Sequence, residues 1–178
     1  MPRGYPYGKV PTSKGTVISE RFETPMVCCG YCSTQFAARA SRAGISSNGK
    51  VEGHKIRAAG GRPHNAGSNS LEQRTGAKKA LNVTLTGIAK SAVLARVKQG
   101  FAVTISIQYR LLPAYLKVQT NDFGHCVTLY GYRVSGNTAY VGVFDPLWSQ
   151  ASQGTWARWI DIDQALWSGG HNTTTIKR

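Results

Sequence analysis

Six residues carry most of the chemistry available to this 178-residue chain: Cys28, Cys29, Cys32, Cys126, His125 and Asp145. Three of the four cysteines fall within five positions. Adjacent cysteines do not pair comfortably with each other, and the cluster does not have the form of an extracellular disulfide framework. Three chemistries fit it. Cys29-Gly30-Tyr31-Cys32 is a C-x-x-C of the thioredoxin-like redox kind. Such a motif follows a buried strand, however, and Arg21–Val27 with its Pro25 does not read as one. A zinc site would draw on Cys28, Cys29, Cys32 and a histidine, but no second C-x-x-C or H-x-x-x-H completes it. No metal and no cofactor is therefore expected. The third chemistry is nucleophilic: at the N-terminus of a helix, the dipole and a nearby imidazolium lower a thiol pKa and favour the thiolate.

An imidazole held by a carboxylate is the orienting half of a nucleophilic site, and the strand pattern supplies one. His125–Tyr132 and Thr138–Phe144 read as strands joined by Ser135-Gly136-Asn137, a hairpin turn signal. His125, Val127, Leu129 and Gly131 share one face of the first strand, and Val141, Val143 and Asp145 share one face of the second. Keeping the aliphatic residues together fixes the parity of the register, because a one-step slip turns a strand over. A three-residue turn from Ser135 to Asn137 then pairs Leu129 with Val143 and Val127 with Asp145. It sets His125 diagonally from Asp145, within reach of the two side chains.

The elements that must position these residues follow from composition and period. Residues 1–27 hold four of the seven prolines and read as an extended arm, with 1–19 set apart from a domain spanning 20–178. Gly30–Arg42, with Phe36, Ala37, Ala38 and Ala40, reads as a short helix stopped by Gly44. From 43 to 70 the chain is rich in Gly, Asn, Ser and basic residues, and reads as a long Gly-rich basic loop. Leu71–Leu81 and Ile88–Gln99 read as helices, the second ending at Gly100. Phe101–Tyr109 reads as a strand with Phe101, Val103, Ile105 and Ile107 on one face. Tyr109–Pro113 and Ala114–Leu116 are expected to finish the core, and Trp156–Trp167 to pack the tail onto the body. Helices first and an antiparallel sheet afterwards is an α+β order.

Three motifs in sequence carry a family resemblance. Cys29-Gly30-x-Cys32-Ser33 opens a helix, Gly124-His125-x-Val127-x-Leu129-Tyr130-Gly131-Tyr132 lies on a strand, and Val143-Phe144-Asp145-Pro146 places its Asp twenty residues after the His. Together they resemble the papain-like cysteine peptidases, above all the bacteriocin-leader-processing branch and its bacteriophage-borne relatives. Leu94-x-x-Val97-x-x-Gly100-Phe101-Ala102-Val103-Thr104-Ile105 is similar to the helix-to-strand passage of that family. The resemblance covers roughly residues 20–168 and implies an α+β papain-like fold, an N-terminal helical half packed on a C-terminal antiparallel β-sheet half. It implies Cys29 as nucleophile, His125 as general base and later acid, and Asp145 as orienter of the imidazole. The backbone N–H of Cys29 would form part of the oxyanion hole. Cys32 is the second choice of nucleophile and Cys28 a bystander.

One position departs from the family pattern. Six residues before the nucleophile the family carries a Gln that donates to the oxyanion, and here that position is Glu23. An ionised carboxylate only accepts; a protonated Glu23 or a substitute donor such as Gln35 would have to serve. The resemblance thus implies a thiol hydrolase of a peptide or amide bond, with a peptidoglycan stem peptide or cross-link as substrate class and a phage virion or lysis protein as setting. The alternative is a catalytically degraded papain-like module serving as a structural component of a virion (tail or connector), with other virion proteins as partners. A C-x-x-C thiol oxidoreductase is the lesser alternative.

Charge bears on partners. The formal net charge is +14, and the first hundred residues hold 16 basic against 4 acidic side chains while the rest hold 6 against 4. No basic helix, zinc-finger spacing or aromatic RNA-binding signature accompanies it. The basic half is expected to be a solvated surface or a docking face for an acidic partner or polyanion. An apolar content of 41% argues against disorder. No apolar run approaches the ~20 residues of a membrane span, and Met1–Val10 lacks the apolar core of a secretory signal. A phage virion or the host cytoplasm is the expected location. His54, His64 and His171 read as surface residues, and Gly60-Gly61-Arg62 lacks the strand and G-K-[ST] of a phosphate loop.

Overall fold

The computed structural model describes residues 4–11, 17–23, 29–41, 49–61, 69–117, 124–146, 155–167 and 172–175. The chain begins with two antiparallel strands, β1 (Gly4–Pro11) and β2 (Val17–Glu23), which form a sheet of their own. The extended arm read over residues 1–27 therefore contains both strands of a paired ribbon, and the boundary expected between residues 19 and 20 falls inside β2. Three helices follow: α1 (Cys29–Ser41), α2 (Gly49–Gly60) and α3 (Ser70–Leu81). Then come β3 (Leu85–Ile88), a 3-10 turn at Lys90–Ala92, the short α4 (Val93–Lys98), β4 (Val103–Gln108), and 3-10 turns at Tyr109–Leu111 and Ala114–Leu116. The chain continues through β5 (Gly124–Ser135), β6 (Thr138–Phe144), β7 (Thr155–Arg158), α5 (Trp159–Ala165) and β8 (Asn172–Thr175). The main sheet has six antiparallel strands in the order β3-β8-β4-β5-β6-β7.

Two expectations are corrected here. The stretch 43–70 is not one loop, because Gly49–Gly60 is helical. Of its glycines, Gly60 marks close packing of α2 on α3. Gly76 on α3 abuts Ile56 on α2 so closely that a Cβ there would overlap the Ile56 carbonyl oxygen, and a Cβ on Gly60 would lie 2.8 Å from the Glu72 carbonyl oxygen. Ile56 itself is fully buried. Gly76→Ala must therefore push the two helices apart, and we expect a loss of about 3 kcal/mol, the upper end of overpacking, as a lowered midpoint in urea unfolding. The second correction is the helix over Ile88–Gln99. Ile88 ends β3, a 3-10 turn intervenes, and only Val93–Lys98 is α-helical.

Helix α3 starts where its sequence allows. Asn69 accepts from the Glu72 backbone N–H at 3.0 Å while the Glu72 carboxylate accepts from the Asn69 N–H at 2.9 Å, a reciprocal capping box. Helix α1 buries Tyr31 and Phe36 in the main core and Ala38 beside Ala77, Val83 and Leu85. Phe36 stacks on Phe144 with ring centroids 3.9 Å apart and meets Tyr130 edge-on at 6.0 Å. The aliphatic stripe of β4 (Val103, Ile105, Ile107) joins Val127, Leu129, Val143, Ile162 and Leu166 in one core. Trp156 closes the far end against Tyr130 and Arg133, so the tail segment packs onto the body as its aromatic content suggests.

Candidate active site

The β5–β6 hairpin positions the histidine and the aspartate. Its turn has two residues, since Ser135 pairs with Thr138, and not the three expected. Gly136, first of the central pair, takes a φ of +57°, as glycine readily does in a two-residue hairpin. That turn alone would put the strands one step out of the expected register. A bulge restores it: Leu129 pairs with Val143 and Gly131 with Gly142, so Tyr130 is the extra residue. Tyr130 can occupy that place because its ring lies over Gly142, where a Cβ would come within 2.6 Å. The expected Leu129–Val143 pairing is thereby reached by a different route.

Beyond the bulge His125 Nε2 and Asp145 Oδ1 lie 2.7 Å apart, both side chains buried. The Tyr109 ring packs edge-on against the imidazole with centroids 5.5 Å apart. Trp167 packs against the start of β5: a Cβ on Gly124 would lie 2.5 Å from the indole, and the Trp167 backbone N–H donates to the Ser106 carbonyl. With Nε2 committed to Asp145, Nδ1 is the nitrogen left to face a partner on the other side of the ring.

Cys29, the first residue of α1 and partly exposed, acts on the imidazole by hydrogen bond and charge. Two buried hydrogen bonds one turn further along the helix hold it in place. The Ser33 hydroxyl donates to the Cys126 carbonyl at 2.9 Å, and the Thr128 hydroxyl donates to the Ser33 carbonyl at 2.8 Å. Helix and strand are thus tied at the residues just after His125. Ser33→Ala and Thr128→Val should each cost about 1 kcal/mol, read as shifts in the urea midpoint. Unchanged midpoints in both variants would mean that the clasp holds nothing.

Two side chains, Cys126 and His125, act on the Cys29 sulfur. A hydrogen bond from the Cys126 thiol acts against burial and, with the bond and positive charge of His125, holds the Cys29 thiol well below the ordinary cysteine value. Burial alone would lower the His125 pKa. The charge and hydrogen bond of Asp145, reinforced by those of Cys29, outweigh it and push the imidazole up to about 10. The bond to Cys29 and then burial push the Cys126 thiol up. The favoured state is a Cys29 thiolate facing a His125 imidazolium, with Cys126 keeping its proton.

Of the remaining sequence candidates, Cys28 lies outside the described residues, Cys32 lies within α1, and Glu23 ends β2. Gln35 is not placed to donate to an oxyanion at Cys29: it is buried and sits six residues, ~9 Å, further along the helix axis. Among the described residues no group of three His, Cys, Asp or Glu could hold a metal ion, and no helix is long and apolar enough to cross a membrane. His54 lies in α2, while His64 and His171 fall outside the described residues. Sequence reasoning named Cys126 and Ser33 but gave neither a role at Cys29, because no motif marks that role. The usable signal was Cys126 directly after His125 in a strand opposite a helical cysteine.

No protein-family model and no curated protein matches the chain. A search of solved structures finds a crystal structure of a candidate C39-like peptidase from Bacillus anthracis. It is 18% identical, with a TM-score of 0.55 over 86% of this chain and 90% of that one. At that identity the likeness speaks for the backbone arrangement alone. The mixed architecture agrees with it: α1 and α3 lie against the six-stranded antiparallel sheet with α2 packed on them, and the chain has an α+β papain-like fold.

Proposed function

We propose that the chain is a papain-like thiol hydrolase that cleaves a peptide or amide bond. The observation that carries this reading is the convergence of three side chains from separate elements: Cys29 at the first turn of α1, His125 on β5 and Asp145 beyond β6. The Cys29 thiolate attacks the carbonyl carbon, and the oxyanion forms beside the Cys29 backbone N–H. The His125 imidazolium gives its proton to the departing amine. The resulting neutral imidazole takes a proton from water, whose attack on the thioester releases the acid and regenerates the pair. Asp145 holds the ring through Nε2 and stabilises its charged form.

An epoxide or iodoacetamide probe tests the reading. Selective labelling of Cys29 at neutral pH, among the four cysteines, is the expected result; uniform slow labelling of all four would sink it. The peptidoglycan-peptide substrate and the phage virion or lysis setting rest on the sequence resemblance alone. Incubation with purified stem peptides tests the substrate class, with new amino termini as the readout.

Glu23 favours a second reading, a papain-like module whose hydrolytic site has decayed and which serves structurally. Glu23→Gln discriminates between them. A restored amide donor should raise hydrolysis by ~10²–10³ if the oxyanion lacks one. No turnover in either form, beside intact labelling of Cys29, would favour the structural module.

A further inference from the structure

Hydrolysis uses Cys29, His125 and Asp145, and it leaves Cys126 without a role in the reaction. Yet Cys126 is the buried cysteine whose thiol bonds the Cys29 sulfur. Strand alternation separates it from His125: Cys126 pairs with Ser106 across β4 and lies on the face that carries Thr128, turned to α1. Its sulfur lies 3.8 Å from the Ser106 hydroxyl and also meets the buried Gln73 side chain. The Cys126 carbonyl accepts from Ser33, so both the backbone and the sulfur of this residue face the helix that carries Cys29.

We propose that Cys126 is a resolving thiol for Cys29, so that oxidation by a hydroperoxide is captured as a Cys29–Cys126 disulfide that closes the site reversibly. The proposal rests on the thiolate reading of Cys29. In the first step the Cys29 thiolate attacks one oxygen of the hydroperoxide and the O–O bond breaks. The departing hydroxide takes the His125 imidazolium proton and leaves as water (as an alcohol, for an organic hydroperoxide). Cys29 is now a sulfenic acid. In the second step the Cys126 sulfur attacks the Cys29 sulfur, the S–O bond breaks, and the hydroxide leaves as water with the Cys126 proton. Two cysteine sulfurs lose two electrons, hydrogen peroxide becomes two waters, and His125 ends neutral.

The arrangement favours the second step only after the first. The bond to the Cys29 thiolate is the foremost cause that keeps Cys126 protonated. Once Cys29 is a neutral sulfenic acid that charge is gone, the foremost cause holding the Cys126 proton is removed, and burial is what remains to raise it. The sulfurs must then close to ~2.05 Å.

The experiment treats the reduced full chain with equimolar hydrogen peroxide, alkylates the free thiols and maps the peptides under non-reducing conditions. The expected product links the Cys29 and Cys126 peptides, and dithiothreitol restores Cys29 labelling. In Cys126→Ser, two or more equivalents of hydrogen peroxide should carry Cys29 on to the sulfinic acid, which dithiothreitol does not reverse. A link from Cys29 to Cys28 or Cys32, or sulfinic acid at Cys29 in the unaltered chain, would overturn the proposal while leaving the thiolate intact. A Cys29 no more reactive than the other thiols would overturn the thiolate reading and this one with it.

Discussion

Replacing His125 by alanine should lower hydrolysis on the order of 10⁴-fold and slow alkylation of Cys29 at pH 6.5 by about 10–10². The two numbers differ because they report different work. Alkylation needs only the thiolate, which His125 supports through a hydrogen bond and its charge while Cys126 supplies a further bond. With the imidazole gone the Cys126 bond persists, so the thiol returns only part of the way to its ordinary value. Hydrolysis needs in addition a proton for the leaving amine and a base for water, and no other described side chain in contact with Cys29 can supply both. A variant that alkylates at the unaltered rate would show that His125 does not set the state of the sulfur.

Asp145→Asn should lower hydrolysis by ~10²–10⁴ and move the alkaline limb of the pH profile toward acid. The sign follows from the charge on the ring. Above the depressed pKa of Cys29 the sulfur is ionised, and below about 10 the His125 ring is protonated. The active ion pair occupies the interval between them and is lost at high pH as the imidazolium deprotonates. The limbs belong to the coupled pair as a whole. Asparagine keeps an oxygen that accepts from Nε2 but removes the negative charge that opposes burial. The ring then loses its proton at lower pH and the interval narrows from its alkaline side. Measuring kcat/KM from pH 5 to 11 checks this, and an unmoved alkaline limb would remove Asp145 from the reaction.

The legible parts of this protein were those set by local period. Alternation along β5 and β6 showed that His125 and Asp145 share a face, because successive side chains of a strand leave it on opposite sides. The length of the turn was not legible. Ser135-Gly136-Asn137 signals a reversal without saying how many residues it uses, and the bulge depends on Gly142 accepting the Tyr130 ring across the hairpin. Helix α2 was hidden because glycines that let helices touch look, in composition, like glycines that let a chain wander. Asn69 and Glu72 did carry the pattern that starts α3. The strands β3 and β8, four residues each, are too short to show a period, and insertion of the last strand between β3 and β4 is a long-range pairing. Cys126 lay in plain sight beside His125. Its meeting with Cys29 depends on where the first turn of α1 lands, which neighbours in the chain do not determine.

The extra residue at Tyr130 also divides the hairpin for anyone wishing to modify it. A ribbon with one dislocation has two independently phased halves, and the outer half, Arg133 to Asn137, is exposed. Strain introduced at the tip meets the dislocation before it meets the histidine. A fluorophore, an affinity tag or a fused module belongs between Gly136 and Asn137, where a change in loop length need not be transmitted to the reactive end.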